Sequence, residues 1–142
     1  MKVLKTAFVI LAMISQITVY ASYAPSAGGT PTIEPKIELY CVGKCKDEVT
    51  MLLEKKTQGW SNYDVSVLDK IIFCESGYNT LAHASTTKEN SWGIAQINLI
   101  AHPNVSKEQA TDISFALDFL IENYKQGNAP AMWYTCYNRA TS

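Results

Sequence analysis

Apolar side chains return at helical spacing in three places along the chain. Cys45, Val49, Leu52 and Leu53 recur at intervals of three and four, Asp47 and Glu48 fall in the first turn, where negative charge favours a helix N-terminus, and Gly59 follows the end. This predicts a helix over 46–57. A second is predicted from Asp64, read as its N-cap, through Leu68, Ile71 and Ile72 to a stop at Gly77. The third pattern is the fullest: Ile113, Ala116, Leu117, Leu120, Ile121 and Tyr124 form one stripe, with Thr111 as cap and Gly127 as terminator. Asp112, Asp118, Glu122 and Lys125 fall outside that stripe.

Between the second and third patterns, residues 78–90 are polar and turn-rich. Ser91-Trp92-Gly93-Ile94-Ala95-Gln96-Ile97-Asn98 is too short for periodicity to decide between a strand and the start of a helix. No series of alternating strands separated by hairpin signals follows. The expected fold class is therefore mainly α: a small single domain with a helical core and a minor β element near residues 91–97.

The first 36 residues lack these patterns. Lys2 and Lys5 precede an apolar stretch from Thr6 to Tyr20, and Val19-Tyr20-Ala21 offers a cleavage site, so residues 1–21 read as a secretory signal peptide rather than a bilayer span. Residues 22–36 carry three prolines and two glycines and read as a flexible leader. The expected folded unit is 37–142. The precursor balances 12 basic against 13 acidic groups; cleavage after Ala21 removes two lysines and no acid, for a charge of −3. With Arg139 the sole arginine, nucleic acid is a poor partner, and no membrane association is expected after cleavage. The destination is the periplasm, the cell envelope or the exterior.

Export changes the meaning of the four cysteines. An even set in a small secreted chain more often forms disulfides than metal sites, and Cys41, Cys45, Cys74 and Cys136 permit three pairings. A zinc site lacks a matching second pair, since His83 and His102 lie far apart in the chain. No metal or cofactor is expected. The preferred pairing is Cys41 with Cys45 and Cys74 with Cys136, the second tying the C-terminal segment to the residues discussed next.

Glu75 breaks two local rules at once. It lies four residues after Ile71 and seven after Leu68, so it continues the apolar face of the second helix, and it falls in the last turn, at the negative end of the helix dipole. Both placements favour the protonated acid, and such conflicts are expected where function outweighs stability. A proton-donating carboxyl is what glycosidic cleavage requires, because the leaving oxygen must be protonated as the sugar gains oxocarbenium character. The competing interpretation is a solvated glutamate at a frayed helix end.

Cys74-Glu75-Ser76-Gly77 followed by Gly93-Ile94-Ala95-Gln96-Ile97-Asn98 resembles the lysozyme-like superfamily, and within it the soluble lytic transglycosylase domain. Glu75-Ser76 resembles that family's catalytic Glu-Ser, Gly93 to Gln96 its Gly-Leu-Met-Gln, and Tyr137-Asn138 the Tyr-Asn of its Ala-Tyr-Asn-Ala-Gly, although Arg139-Ala140 here replaces Ala-Gly. A more distant similarity is to c-type lysozyme, whose Asp-Tyr-Gly-Ile-x-Gln-Ile-Asn segment resembles Ser91 to Asn98. Ser91 stands where that family carries its catalytic aspartate, and Glu89, two residues earlier, is the nearest substitute, with an altered direction or depth.

The resemblance implies a lysozyme-like α+β fold and an exported enzyme that cleaves peptidoglycan glycan strands between N-acetylmuramic acid and N-acetylglucosamine. Glu75 would be the single catalytic acid. Ser76 and Gln96 would orient substrate or the acid, Gly93 would let the sugar approach the backbone, and Tyr137 would hold the Glu75 carboxyl by a hydrogen bond, with Asn138 and Trp92 as further substrate contacts. Trp133, Tyr78 and Tyr134 are aromatic candidates for either groove or core. Two alternatives remain open: a hydrolytic muramidase assisted by Glu89 or another acid, and a saccharide-binding protein of the same fold without catalysis.

Overall fold

The computed structural model describes residues 41–142; the expected signal peptide, the expected flexible leader and the rest of the sequence ahead of Cys41 lie outside the described residues. Helix α1 (Lys46–Lys56) starts directly after the Cys41–Cys45 disulfide, with Asp47 and Glu48 in its first turn and Lys55 and Lys56 in its last, each sign placed where the helix dipole favours it. Helix α2 (Asn62–Ser76) is capped three residues earlier than the expected cap at Asp64. Ser61 is the cap: its hydroxyl accepts from the Asp64 amide, and Asp64 serves in the first turn. Gly77, at φ +58°, ends the helix in the left-handed conformation, its amide donating to the Phe73 carbonyl.

A three-stranded antiparallel sheet follows, built from β1 (His83–Ser85), β2 (Asn90–Trp92) and β3 (Ile97–Asn98) in that order. His83 pairs with Trp92 across β1 and β2, and Ser91 with Asn98 across β2 and β3. The β element therefore extends beyond residues 91–97 on the N-terminal side, into the segment whose polar character obscured it.

Helix α3 (Lys107–Thr111) opens on a capping box formed by Ser106 and Gln109. Helix α4 (Ile113–Lys125) is capped by Asp112, whose carboxylate accepts from the Phe115 amide at 2.7 Å; Thr111, expected as this cap, instead closes α3. Two further helices, α5 (Ala129–Met132) and α6 (Tyr134–Thr141), complete the described residues.

The core is helical. Val49 and Leu53 of α1, Val67, Leu68, Ile71 and Ile72 of α2, and Ala116, Leu117 and Leu120 of α4 are buried together with Ile94 and Ile97 from the sheet region. Lys56 of α1 reaches Asp118 of α4 at 2.7 Å. Helix α6 packs on α2 and is stapled to it by the Cys74–Cys136 disulfide, with a Cα separation of 5.6 Å. Both bonds follow the expected pairing, and none of the four cysteines is free. The result is a small, mainly helical domain with a minor sheet and two disulfides. Among the described residues no helix is long and apolar enough to cross a membrane.

Candidate functional site

Glu75 lies in the last turn of α2, next to Ser76. Its carboxyl is partly buried and, among the described residues, takes no hydrogen bond or ion pair. Burial, and secondarily the negative charge of Glu89, pushes it up to about 7 from its ordinary value of 4.5. No basic residue in the last turn offsets the helix dipole. Near neutral pH the group therefore exists both as proton donor and as carboxylate, the condition for one side chain to act first as acid and then as base.

Ser76 and Gln96 are built into the frame around it. The Ser76 hydroxyl donates to the carbonyls of Ile72 at 3.2 Å and Ile94 at 2.9 Å, joining the end of α2 to the turn that leaves β2. Gln96 adopts φ +47°, and its amide donates to the carbonyls of Gly93 at 2.9 Å and Ala82 at 3.1 Å. Both hold the site's shape through backbone carbonyls.

Gly93 is required for a different reason from the one expected. It is buried at φ +76°, and a Cβ there would run into the Ala110 carbonyl oxygen, 2.8 Å from the carbonyl carbon. The missing side chain thus lets α3 approach the sheet; it is occupied by protein rather than open to a sugar.

Trp92 is likewise engaged by its neighbours. His83 stacks on its ring at 3.8 Å, the Lys107 ammonium lies 3.9 Å over the ring, and the indole N–H donates to Asn90 at 2.8 Å. These interactions occupy the aromatic surface that a sugar would need. Trp133 is buried, with its N–H donating to the Ala95 carbonyl at 2.7 Å, and Tyr78 is buried with its hydroxyl on Asp69 at 3.1 Å. Tyr134 is exposed.

The Cys74–Cys136 bond brings the two chain segments of the motif together, since Glu75 and Tyr137 each follow a bonded cysteine. The expected hydrogen bond is nevertheless absent: the Tyr137 hydroxyl makes none to Glu75 or to any other described residue. Tyr137 is half-buried against the core, and Asn138 lies exposed on α6.

A second carboxylate does reach this region. Ser91, 1% exposed, donates its hydroxyl to Glu89 Oε1 at 2.8 Å, and the Glu89 charge is felt at Glu75. Two residues apart in sequence, Glu89 and Ser91 are thus hydrogen-bonded to each other. Glu89 lies in the loop immediately before β2, and Ser91 lies within that strand. The stacking of His83 on Trp92 follows from their cross-strand pairing and had no sequence signal before β1 was placed.

Among the described residues, no group of three or more His, Cys, Asp or Glu side chains gathers in a way that could hold a metal ion. No protein-family model matches the chain, and comparison with curated proteins and with solved structures finds no match either.

Proposed function

We propose that the chain is an exported lytic transglycosylase that cleaves the β-1,4 bond between N-acetylmuramic acid and N-acetylglucosamine in peptidoglycan, with Glu75 as its catalytic acid and base. The observation that carries this reading is the partly buried Glu75 carboxyl at about 7, without a hydrogen-bond partner among the described residues, in the position of the Glu-Ser motif. The substrate class comes from the resemblance of the Glu75-Ser76 and Gly93–Gln96 segments. Two disulfides suit an oxidising compartment and are consistent with export.

In the proposed reaction the Glu75 proton passes to the glycosidic oxygen as the C1–O bond breaks and its electron pair stays with the leaving sugar. The C6 hydroxyl oxygen then bonds to C1, and its proton returns to Glu75. No water is consumed, and the product carries a 1,6-anhydromuramoyl end. Ser76 and Gln96 support this chemistry by holding the frame of the acid.

A hydrolytic muramidase is favoured by one specific observation, the presence of Glu89 close enough to influence Glu75. Water would then attack C1 in place of the C6 hydroxyl. Mass spectrometry of digested peptidoglycan separates the two: anhydro ends support transglycosylation, whereas reducing muramic ends alone overturn it in favour of hydrolysis.

A further inference from the structure

We propose that the surface around Phe73, framed by α2, α6 and the residues entering α1, binds an acidic segment of a partner protein that carries a large apolar side chain among its carboxylates. The proposal is independent of the reading of Glu75. Phe73 and Glu75 sit two residues apart on α2, about 200° round the helix axis, so the two side chains leave α2 on opposite faces.

Phe73 is 64% exposed, whereas its neighbours Ile71 and Ile72 are buried. One exposed apolar side chain is ordinary on a protein surface. Phe73 differs in its setting, because it lines two open hollows at once. The first, of about 450 Å³, takes Lys44, Lys46, Asp69, Lys70 and Tyr78 into its walls. The second, of about 410 Å³, is lined by Lys70, Cys74 and Arg139. Among the described residues, four cations therefore line the hollows against one carboxylate, Asp69, which already accepts from the Tyr78 hydroxyl at 3.1 Å. The whole chain has a formal charge of −1, so this positive surface is a local feature.

The frame of this surface is firm. The Cys74–Cys136 bond fixes α6 on α2, the Lys70 ammonium donates to the Ala140 carbonyl at 3.3 Å, and the Arg139 guanidinium lies 3.9 Å from Cys74 Sγ. The Phe73 ring lies 5.8 Å from that of Tyr78, and the Lys46 ammonium lies 5.9 Å from the Tyr78 ring on its face. Side chains held in this way lose less freedom on binding. An aromatic anchor ringed by charge matches the anatomy of a protein interface, with an apolar centre and a polar rim. Its complement is an apolar side chain against Phe73 with Glu or Asp placed to meet Lys44, Lys46, Lys70 and Arg139. A bilayer presents a broad face that leaves hollows on both sides of one ring unfilled, whereas a peptide segment can enter them.

The test is binding of a fluorescent synthetic peptide that alternates glutamate with leucine and phenylalanine, read by anisotropy for wild type, Phe73→Ala, Lys46→Glu and Lys88→Glu, each shown by thermal melting to be folded. Lys88 lines neither hollow and serves as the charge-matched control. Wild type is expected to bind saturably, more weakly as salt rises, and to ignore the same peptide with glutamine in place of glutamate. Phe73→Ala is expected to weaken binding at least about tenfold, the scale of a lost aromatic anchor, and Lys46→Glu severalfold, while Lys88→Glu changes it less than about twofold. No saturable binding, binding unmoved by Phe73→Ala, or equal losses from Lys46→Glu and Lys88→Glu overturns the proposal. Two further measurements offer rival occupants: co-sedimentation with phosphatidylglycerol vesicles, or a dimer in analytical ultracentrifugation, either one abolished by Phe73→Ala in a protein that does not bind the peptide, overturns it in favour of a lipid surface or a second copy.

Discussion

The Ser76 hydroxyl donates to the Ile94 carbonyl at 2.9 Å, tying the helical turn that carries Glu75 to the turn between β2 and β3. Ser76 also bonds back to Ile72 within its own helix, so one side chain sets the end of α2 against the sheet. Ser76→Ala is expected to lower stability by about 1 kcal/mol. It should also reduce cleavage severalfold by loosening the site. Chemical denaturation and peptidoglycan release, measured on the same preparation, check both effects.

Gly93 is the least replaceable position of the motif. A methyl group there meets the Ala110 carbonyl and requires an L residue at φ +76°. Neither atom set is the free end of a flexible side chain, so the backbone of α3 must move. Gly93→Ala is expected to cost more than about 3 kcal/mol, combining overpacking with backbone strain. A melting temperature equal to wild type would show that α3 yields easily and that the packing account of Gly93 is wrong.

The parts of the fold legible in sequence are those long enough to repeat a pattern. α1, α2 and α4 each show two or more turns of apolar recurrence, and their positions follow. The ends are less legible because two nearby residues can both cap: Ser61 competes with Asp64, and Thr111 with Asp112, and the choice rests on which hydroxyl or carboxylate meets an amide. Strands of two or three residues and helices of four to eight contain too little repetition to register, hence the missed β1, α3, α5 and α6. At the candidate site, Glu75 was legible as a conflict between burial and charge. The hydrogen bonds of Ser76, the closure over Gly93 and the engagement of Trp92 depend on tertiary neighbours distant in sequence.

Glu75 makes stability depend on pH in a definite direction. Its carboxyl has an ordinary value of 4.5 and is pushed up to about 7 in the fold. Between these, the unfolded chain releases the proton that the folded chain retains, so stability falls as pH rises through the window and the loss is complete above about 7. Below the lower value both states are protonated and the penalty vanishes. Glu75→Gln removes the ionisable group: the variant is expected to exceed wild type by about 1–2 kcal/mol near pH 8, after discounting for solvent screening, and to match it near pH 4. Urea unfolding at the two pH values measures this, and a pH-independent difference would contradict it.

The two disulfides should contribute unequally. Cys74 and Cys136 are separated by 62 residues in sequence, whereas Cys41 and Cys45 are separated by four. Loop-closure entropy gives the long bridge about 4 kcal/mol. Replacing Cys74 and Cys136 together by Ala is expected to lower the melting temperature far more than replacing Cys41 and Cys45, and to weaken the docking of α6 on α2. Equal losses from the two double variants would contradict this ranking.

The central claim is that Glu75 cleaves peptidoglycan as a proton-donating acid. Its most direct measurement is the release of soluble muropeptides from purified peptidoglycan by wild type and by Glu75→Gln, with both proteins shown to be folded. The account predicts release with anhydro ends by wild type and none above background by Glu75→Gln; no release by wild type, or equal release by the variant, would contradict it.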